Sequence, residues 1–323
     1  MSVLLDKARL FACKTEATVG TAETLTASEA AYNVYNLRIN PQIDVAQREG
    51  QQGFGRLASV PGARMGAATF ETGMYYDGTT VPNWASVLLP ACGVPLATGT
   101  TYRPKTQVPA SGSAVKTLTI AGYNTGDGTN AKIKTLTGAV GTFQIVAPTG
   151  RHIRIRWTFT GVYADEVDTG TLLSPTYPTT TTELRFSEGA SSWASSTICL
   201  ESMTFDVGNV VTGRYCTTPI AGYDSFLISD RNPRVTANPE SRLIATQDRY
   251  AQFKNQTEDT LSFTIGHPTS NATIVISAPK AQIVNGPQEG VRDGIVTDEV
   301  EWQLNRNGST ADQEFSIVFN HAA

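Results

Sequence analysis

Two groups of carboxylates are the residues of this sequence whose types and spacing could do chemistry. They are Asp165, Glu166 and Asp168, and Asp298, Glu299 and Glu301. Two carboxyl groups that flank a sugar bond can hydrolyse it, one as acid and the other as nucleophile or base. Acidic clusters also occur on solvated loops or in the lining of a channel. We favour this structural interpretation, because it explains the two groups as well as catalysis does. A hydrolase would have to show turnover that is lost when Asp165, Glu166 and Asp168 are replaced.

Other reactive residues are scattered along the chain. Cys13, Cys92, Cys199 and Cys216 form no CxxC pair, and none of His152, His267 and His321 lies within four residues of another histidine or of a cysteine. Such spacing disfavours a zinc site. It is typical of free, buried thiols in a cytosolic product.

The remaining candidate sites are weak. Residues 124–130 loosely resemble a calcium-binding loop but lack its final glutamate, and their Asp-Gly pair favours a plain hairpin turn. His152 lies near Arg154 without a partner in the sequence, and we interpret it as a surface strand residue. The sequence contains no G-x-S-x-G, H-E-x-x-H or G-x-x-x-x-G-K-[ST] motif. It therefore predicts no catalytic residue, no metal site and no cofactor.

Composition limits the class of protein. Of the 323 residues 40% are apolar and only 17% are charged, against roughly 25% charged in ordinary soluble domains. A surface of low charge suits a protein that is buried against copies of itself, and it also suits many secreted β-proteins. The net charge of −4 gives no basic footprint for tight nucleic-acid binding. Neither a signal-peptide core nor an apolar run of about 18 residues is present, so we expect no membrane span.

The clearest structural pattern is a hairpin in the middle of the chain. Apolar Ile153, Ile155, Trp157 and Phe159 alternate with polar residues, which is the period of a strand with one packed face. The β-prone run 142–146 precedes it, and a Pro/Gly turn at 147–150 joins the two. The arginine-bearing face of this strand is predicted to be either solvated or docked on another subunit.

The other elements are arranged around this hairpin. We predict an N-terminal arm (1–28), a long Gly/Gln-rich loop (46–62) that contacts another subunit, a short helix opening at 81–84 and a second helix (241–254). Most other segments read as strands, so the fold is predicted to be mainly β. Leu4, Leu5, Leu10 and Phe11 in the arm are interpreted as side chains that need a partner surface.

The order of elements repeats, which predicts two similar domains at 29–170 and 183–323, joined by a Thr/Pro linker at 171–182. Each half has a Trp inside an alternating strand, in 154–159 and in 299–304. We also align residues 61–64 with residues 232–234. Each half is predicted to carry one short flanking helix.

With these elements in order, the chain resembles the tail tube (major tail) proteins of long-tailed, non-contractile bacteriophages. The resemblance is clearest over residues 1–165 and consists of patterns of shape and apolarity. It rests on Ala8–Ala12 with Glu16–Ala22, on Gly62–Phe70, on Pro82–Gly93, and on Gly138–Phe143 with Phe159–Tyr163.

The resemblance implies a β-sandwich or barrel subunit that forms rings, which stack into a hollow tube conducting double-stranded DNA. It implies contacts with a tape measure protein inside the tube and with tail terminator and distal tail proteins at its ends. The protein would belong to the virion and be assembled in the host bacterial cytoplasm. Because the chain is about twice a typical 150-residue domain, we expect three chains per ring with pseudo-sixfold symmetry, and six chains as the alternative.

A second class of function stays open at this point, namely a secreted or virion-surface carbohydrate-binding β-protein. Self-association separates the two: rings or tubes favour the tail tube, and a glycan-binding monomer favours the alternative.

Overall fold

A computed structural model of the chain describes residues 4–5, 7–50, 53–106, 115–125, 130–169, 172–177, 183–267 and 271–321. The protein is mainly β, as predicted, and its strands form large antiparallel sheets. The first half, before residue 171, contains β1 (Arg9–Thr15), β2 (Val34–Glu49), β3 (Arg56–Gly73), β4 (Leu96–Thr98), β5 (Thr101–Tyr102), β6 (Leu118–Thr125), β7 (Ala131–Pro148), β8 (Arg154–Tyr163) and β9 (Val167–Thr169).

The second half, from residue 183, contains β10 (Ser191–Trp193), β11 (Ser196–Thr197), β12 (Leu200–Asp206), β13 (Asn209–Tyr215), β14 (Tyr223–Arg231), β15 (Arg234–Pro239), β16 (Glu258–Gly266), β17 (Thr273–Ile283), β18 (Gln288–Arg292), β19 (Ile295–Leu304) and β20 (Ser316–Asn320). Helical structure is short. It comprises a 3-10 turn (Ser28–Ala30), a π-helical turn (Trp84–Leu88) that continues as α1 (Leu89–Ala91), and α2 (Arg249–Lys254).

Eight strands from both halves pair side by side into one antiparallel sheet, which we call the ribbon. Its order is β2, β3, β8, β7, β12, β15, β19 and β17. The halves meet inside the ribbon, where residues 144–148 of β7 pair with residues 202–206 of β12. A second contact joins β20 of the second half to β5 of the first.

A second layer packs on one face of the ribbon and makes each half a β-sandwich. In the first half β1 and β6 pair with each other, and Phe11 of β1 lies 4.4 Å from Phe70 of β3, measured between ring centroids. In the second half β10 pairs with β16, and Trp193 of β10 lies 6.0 Å from Trp302 of β19. The buried apolar residues of both sandwiches form one continuous core.

The two halves have the same strand order. In chain order, their six main strands are β1, β2, β3, β6, β7 and β8, and β10, β12, β15, β16, β17 and β19. Both sets are arranged in space as first, fourth, fifth, sixth, third and second. In both, the short helix lies between the third and fourth strands, and a seventh strand, β9 or β20, pairs with the start of the fifth.

The central hairpin is confirmed, with Ile155, Trp157 and Phe159 of β8 buried. The segments predicted at 131–136 and 142–146 are, however, one continuous strand, β7. The register shifts between Thr137 and Val140, and Gly138 lies at φ +60°. This is a β-bulge at a position where a glycine carries little strain, so the strand bends without ending.

The predicted second helix is mostly wrong, because only its last six residues form α2. The Asp248 side chain accepts a hydrogen bond from the Ala251 N–H at 2.8 Å and thereby fixes the start of the helix. Residues 241–248 are irregular, and Leu243 and Ile244 are exposed instead of facing a core.

Two predictions about the first 62 residues are also corrected. The predicted loop at 46–62 is mostly strand, because β2 and β3 continue as a hairpin out to the Glu49–Arg56 pair. Part of the predicted arm belongs to the sandwich, since β1 pairs with β6 and its Leu10 and Phe11 are buried. Leu4 and Leu5 are exposed. Residues 126–129 of the calcium-like segment, and 170–171 and 178–182 around the linker, lie outside the described residues.

Candidate assembly surfaces

One face of the ribbon is apolar and closes the core. Trp157 of β8 pairs with Phe70 of β3 on one side and with Phe143 of β7 on the other. Trp302 of β19 stands in the same position, between Val235 of β15 and Ile283 of β17. The two tryptophans thus stand at corresponding places in the two halves. When the halves are aligned on these two tryptophans, Val235 matches Phe70 and Arg234 matches Thr69, so this alignment does not place residues 232–234 against residues 61–64.

The opposite face of the ribbon is polar, and three of its arginines, Arg154, Arg156 and Arg234, lie beside carboxylates. Arg156 lies 3.3 Å from Glu71 on the neighbouring strand, and Arg234 pairs with Glu301. Arg154 stacks on the Tyr35 ring and lies 3.7 Å from Glu183. Most other side chains of this face are uncharged and polar: Thr69, Thr142, Gln144, Thr158, Thr160, Thr204, Thr236, Gln282 and Gln303.

A long hairpin projects from the first half, formed by the distal parts of β2 and β3. We call residues 41–62 the free arm, because all of its described residues are exposed. Its large apolar side chains are Ile43, Val45, Phe54, Leu57 and Val60. A two-stranded hairpin exposed on both faces is marginally stable alone, and exposed apolar clusters of this kind mark interaction surfaces.

The second half has a hairpin in the same place, between its second and third strands, but this hairpin is packed against the chain. We call it the docked arm, formed by β13 and β14. Its Tyr223 and Phe226 are buried against Val140 of β7, with Met65 and Val162 beside them. Its Asn209 side chain donates to the Cys92 and Gly141 carbonyls at 2.7 and 2.9 Å. The docked arm therefore fixes the second half to the first.

An ion cluster holds the base of the docked arm. Arg231, at the end of β14, contacts Asp312 at 3.4 Å and Glu314 at 3.1 Å, and its side chain is only 10% exposed. Thr106 of the first half donates to the same Asp312 carboxylate from its hydroxyl and its N–H. Burial works to raise the pKa of Asp312, but the bonds from Thr106 and the charges of Arg231 and Lys105 outweigh it and hold the pKa below its ordinary value.

The carboxylates singled out in the sequence are used to hold strands together. Asp165 pairs with Arg64 of β3 at 2.7 Å, and Glu166 pairs with Lys132 and accepts from the Tyr163 hydroxyl. These two partners hold the pKa of Glu166 below its ordinary value. In the other group, Asp298 pairs with the buried Arg249 and Glu301 with Arg234, while Glu299 is exposed. The structure thus gives most of these carboxylates a structural partner.

The other candidate residues are also accounted for. Cys13 and Cys92 are buried, and burial raises the pKa of the Cys13 thiol to about 12; Cys199 and Cys216 are free thiols nearer the surface. His152 is exposed in the turn between β7 and β8. Among the residues that the structure describes, no cluster of His, Cys, Asp or Glu could hold a metal ion. No helix in the described part of the chain is long and apolar enough to cross a membrane.

The sequence predicts the two strands of the docked arm, but it does not predict that the arm packs against the first half. It also missed the Arg231 cluster. The one available signal was the spacing of Tyr223, Phe226 and Ile228, which does not alternate strictly and so gave no packed face. Their partners in the first half, Met65, Val140 and Val162, lie more than 60 residues away in sequence.

Comparison with known proteins agrees with the geometry. A family model described as phage tail tube protein matches residues 6–304 of the 323-residue chain. No curated protein sequence matches it. The match runs through both sandwiches, the free arm and the docked arm. The chain belongs to the phage tail tube protein family and is a structural protein of the virion tail.

Proposed function

We propose that the chain closes into rings through its ribbon, and that these rings stack into the hollow tube of a phage tail. The observation that carries the proposal is the ribbon itself: eight antiparallel strands with one apolar face and one polar face. Among the described strands, none pairs with the outer edge of β2 at one end of the ribbon, or with β17 past residue 282 at the other. Exposed edges invite pairing with another chain, and closure into a barrel removes them.

The polar face of the ribbon is the proposed channel wall. Its apolar face is already covered by the second layer, so the polar face is the one left for a water-filled lumen. Phosphates are held by unpaired lysine and arginine, but Arg156 and Arg234 of this face have carboxylate partners. A channel lined by Thr, Gln and these carboxylate-paired arginines lets the tape measure protein leave the tube first. Double-stranded DNA then passes through the same channel without adhering to it.

The two halves are proposed to be tandem copies of one tail tube fold. The shared strand order, the helix after the third strand in each half, and the matching positions of Trp157 and Trp302 support this. Each chain then supplies two of six equivalent positions, so that three chains close a ring. Six chains per ring would be expected if the second half did not take part in the ring.

The free arm is proposed to contact another subunit, most simply in the adjacent ring, and tail terminator and distal tail proteins would cap the stack. Assembly would take place in the cytoplasm of the host bacterium. Exposed apolar residues on both strands of the arm support an inter-subunit role, because they have no surface to cover within the described chain.

Electron microscopy of the purified chain tests the proposal. We expect stacked rings in side view, and three full-mass subunits with approximate sixfold symmetry in end-on view. A protein that stays monomeric at high concentration would contradict the assembly. Six full-mass subunits around one ring would contradict the duplication while leaving the tube intact.

A further inference from the structure

We propose that neighbouring chains join by pairing residues 283–287, the last residue of β17 and the four that follow it, with the outer edge of β2. This inference rests on the proposed ring and specifies its contact. The contact repeats the one that already joins the two halves within a chain, so the partner is a second copy of this chain in head-to-tail orientation, as ring closure requires.

The template is the pairing of β7 with β12. The end of the fifth strand of the first half lies beside the second strand of the second half, with Ile145 opposite Phe205 and Gln144 opposite Asp206. The Val207 N–H donates to the Phe143 carbonyl at 3.2 Å. The equivalent strands at the two ends of the ribbon are β17 and β2. Among the described strands, none pairs with the outer edge of β2, and β16 pairs with β17 only as far as Gln282, which leaves residues 283–287 without a neighbour on that edge.

The register follows from residues that the two halves share. Phe143 and Ile283 match because each stands opposite its Trp. In the first half, Arg38 pairs with Thr69. In the second half, Arg234 occupies the position of Thr69 and pairs with Asp206. Arg38 therefore matches Asp206. The template then places Arg38 opposite Val284 of the neighbouring chain. It predicts that Ile39 donates its N–H to the Ile283 carbonyl, and that Asn285 donates to the Leu37 carbonyl.

Both edges have the backbone groups that this register needs. Past the last residue of β17, the Val284 N–H donates inward to the Glu301 carbonyl at 3.0 Å. Pairing with β2 would extend β17 through Asn285, and strand alternation would then turn the Asn285 N–H outward. On β2, the carbonyls of Leu37 and Ile39 already face outward, since they accept from the Arg9 and Lys134 side chains at 2.7 and 3.4 Å. The only proline of the segment, Pro287, falls at its end, where an edge strand tolerates a missing donor.

Charge favours the same partner. Arg9, Arg38 and Lys134 line an open pocket along the outer edge of β2. The hairpin of β18 and β19, which follows directly on residues 283–287, presents exposed Glu289 and Glu299. A negative hairpin meeting a positive edge steers head-to-tail association and disfavours the pairing of two like ends.

Cysteine cross-linking tests the contact. In a Cys199→Ser, Cys216→Ser background, we would introduce Arg38→Cys with Val284→Cys. A non-hydrogen-bonded pair places Cα atoms about 4.5 Å apart, within disulfide range. We expect a non-reducing gel of oxidised tubes to show a covalent ladder that ends at the number of chains in one ring. The matched control, Gln144→Cys with Asp206→Cys, should close within one chain and give only monomers.

The outcomes separate this inference from the proposed function. Tubes that form normally but yield no interchain cross-link would overturn the contact and leave the tube standing. Absence of tubes from the unsubstituted chain would instead overturn the proposed function.

A second pair of variants decides the matter if the cysteines themselves block assembly. Asn285→Pro removes the N–H that we assign to Leu37 of the neighbour, whereas Asn285→Ala retains it. We expect the alanine variant to form rings and the proline variant to remain a folded monomer with an unchanged Tm. Equal assembly of the two variants would contradict the proposed pairing.

Discussion

The free arm and the docked arm leave the protein at the same place in its two halves, yet only one of them finds a partner within the chain. The docked arm buries Phe226 and Tyr223 against Val140, which lies just beyond the bulge at Gly138. Counted from Phe143 and Ile283, the position of Val140 in the second half is occupied by Lys280. The first half therefore has an apolar residue at the position where an arm packs, and the second half has a lysine there.

The difference shows how two halves with the same strand order can take different roles. The docked arm contributes to the stability of the monomer, because its apolar side chains leave water when the chain folds. The free arm keeps its apolar side chains exposed in the monomer. These side chains can therefore contribute to the free energy of association with another molecule, but contribute little to the free energy of folding. Substitutions in the two arms should accordingly be detected by different measurements.

Removal of the free arm should have the largest effect, and only on assembly. Replacing residues 44–63 with Asn-Gly joins Ile43 to Arg64, which face each other in register. We expect a monomer that unfolds cooperatively near the wild-type Tm but forms no tubes in negative-stain images. Gln42→Ala with Gln47→Ala, two polar changes on the same arm, is the control and should assemble. Full-length tubes from the armless chain would show that the arm is not an assembly element.

Truncation of the docked arm should instead destabilise the monomer. Phe226 is 1% exposed, and Phe226→Ala should lower the free energy of unfolding by ~3–5 kcal/mol, measured by urea denaturation. Phe54→Ala at the tip of the free arm is the matched change; because Phe54 is fully exposed, it should alter stability by less than ~0.5 kcal/mol. Similar losses in the two variants would remove the distinction between the arms.

Acid should loosen the docked arm at its base. The pKa of Asp312 is held below its ordinary value of 3.8, so its ion pair with Arg231 stabilises the fold above that value. This contribution is lost as the pH falls through the depressed pKa. Asp312→Asn should lower the free energy of unfolding by ~1–3 kcal/mol at pH 7. Between pH 5 and pH 3, the free energy of unfolding should fall less in this variant than in the wild type, as measured by urea denaturation at each pH. An unchanged pH dependence in the variant would contradict the role of Asp312.

The smallest expected difference lies between the two tryptophans of the ribbon. The Trp157 Nε1–H donates to the Thr72 hydroxyl at 2.9 Å, whereas Trp302 Nε1 is buried without a partner among the described residues. Both changes to Phe shrink the side chain, but only Trp157→Phe also breaks a hydrogen bond. Trp157→Phe should therefore lower the free energy of unfolding by ~1 kcal/mol more than Trp302→Phe, as measured by thermal unfolding. A larger loss in Trp302→Phe would contradict a stabilising role for the Trp157–Thr72 hydrogen bond.

The sequence by itself determined the class of the fold and the family. Strict alternation in Ile153–Phe159 can be satisfied only by a strand with one packed face, and this information is local. The correspondence between the two Trp strands could be proposed for the same reason, since each Trp lies in its own alternating run. Spacing also showed that the cysteines and histidines are too scattered for a local zinc motif.

Only the tertiary structure decided how these strands combine. Whether residues 46–62 are a loop or strands depended on pairing between β2 and β3, because a segment exposed on both faces carries no alternation. The burial of Leu10 and Phe11 depended on β6, more than 100 residues away. The position of the docked arm and the uncovered edges of the ribbon likewise follow from pairings between distant residues. Local periodicity reports which face of a strand is buried, whereas the partner that buries it is chosen by the free energy of the whole packed sheet.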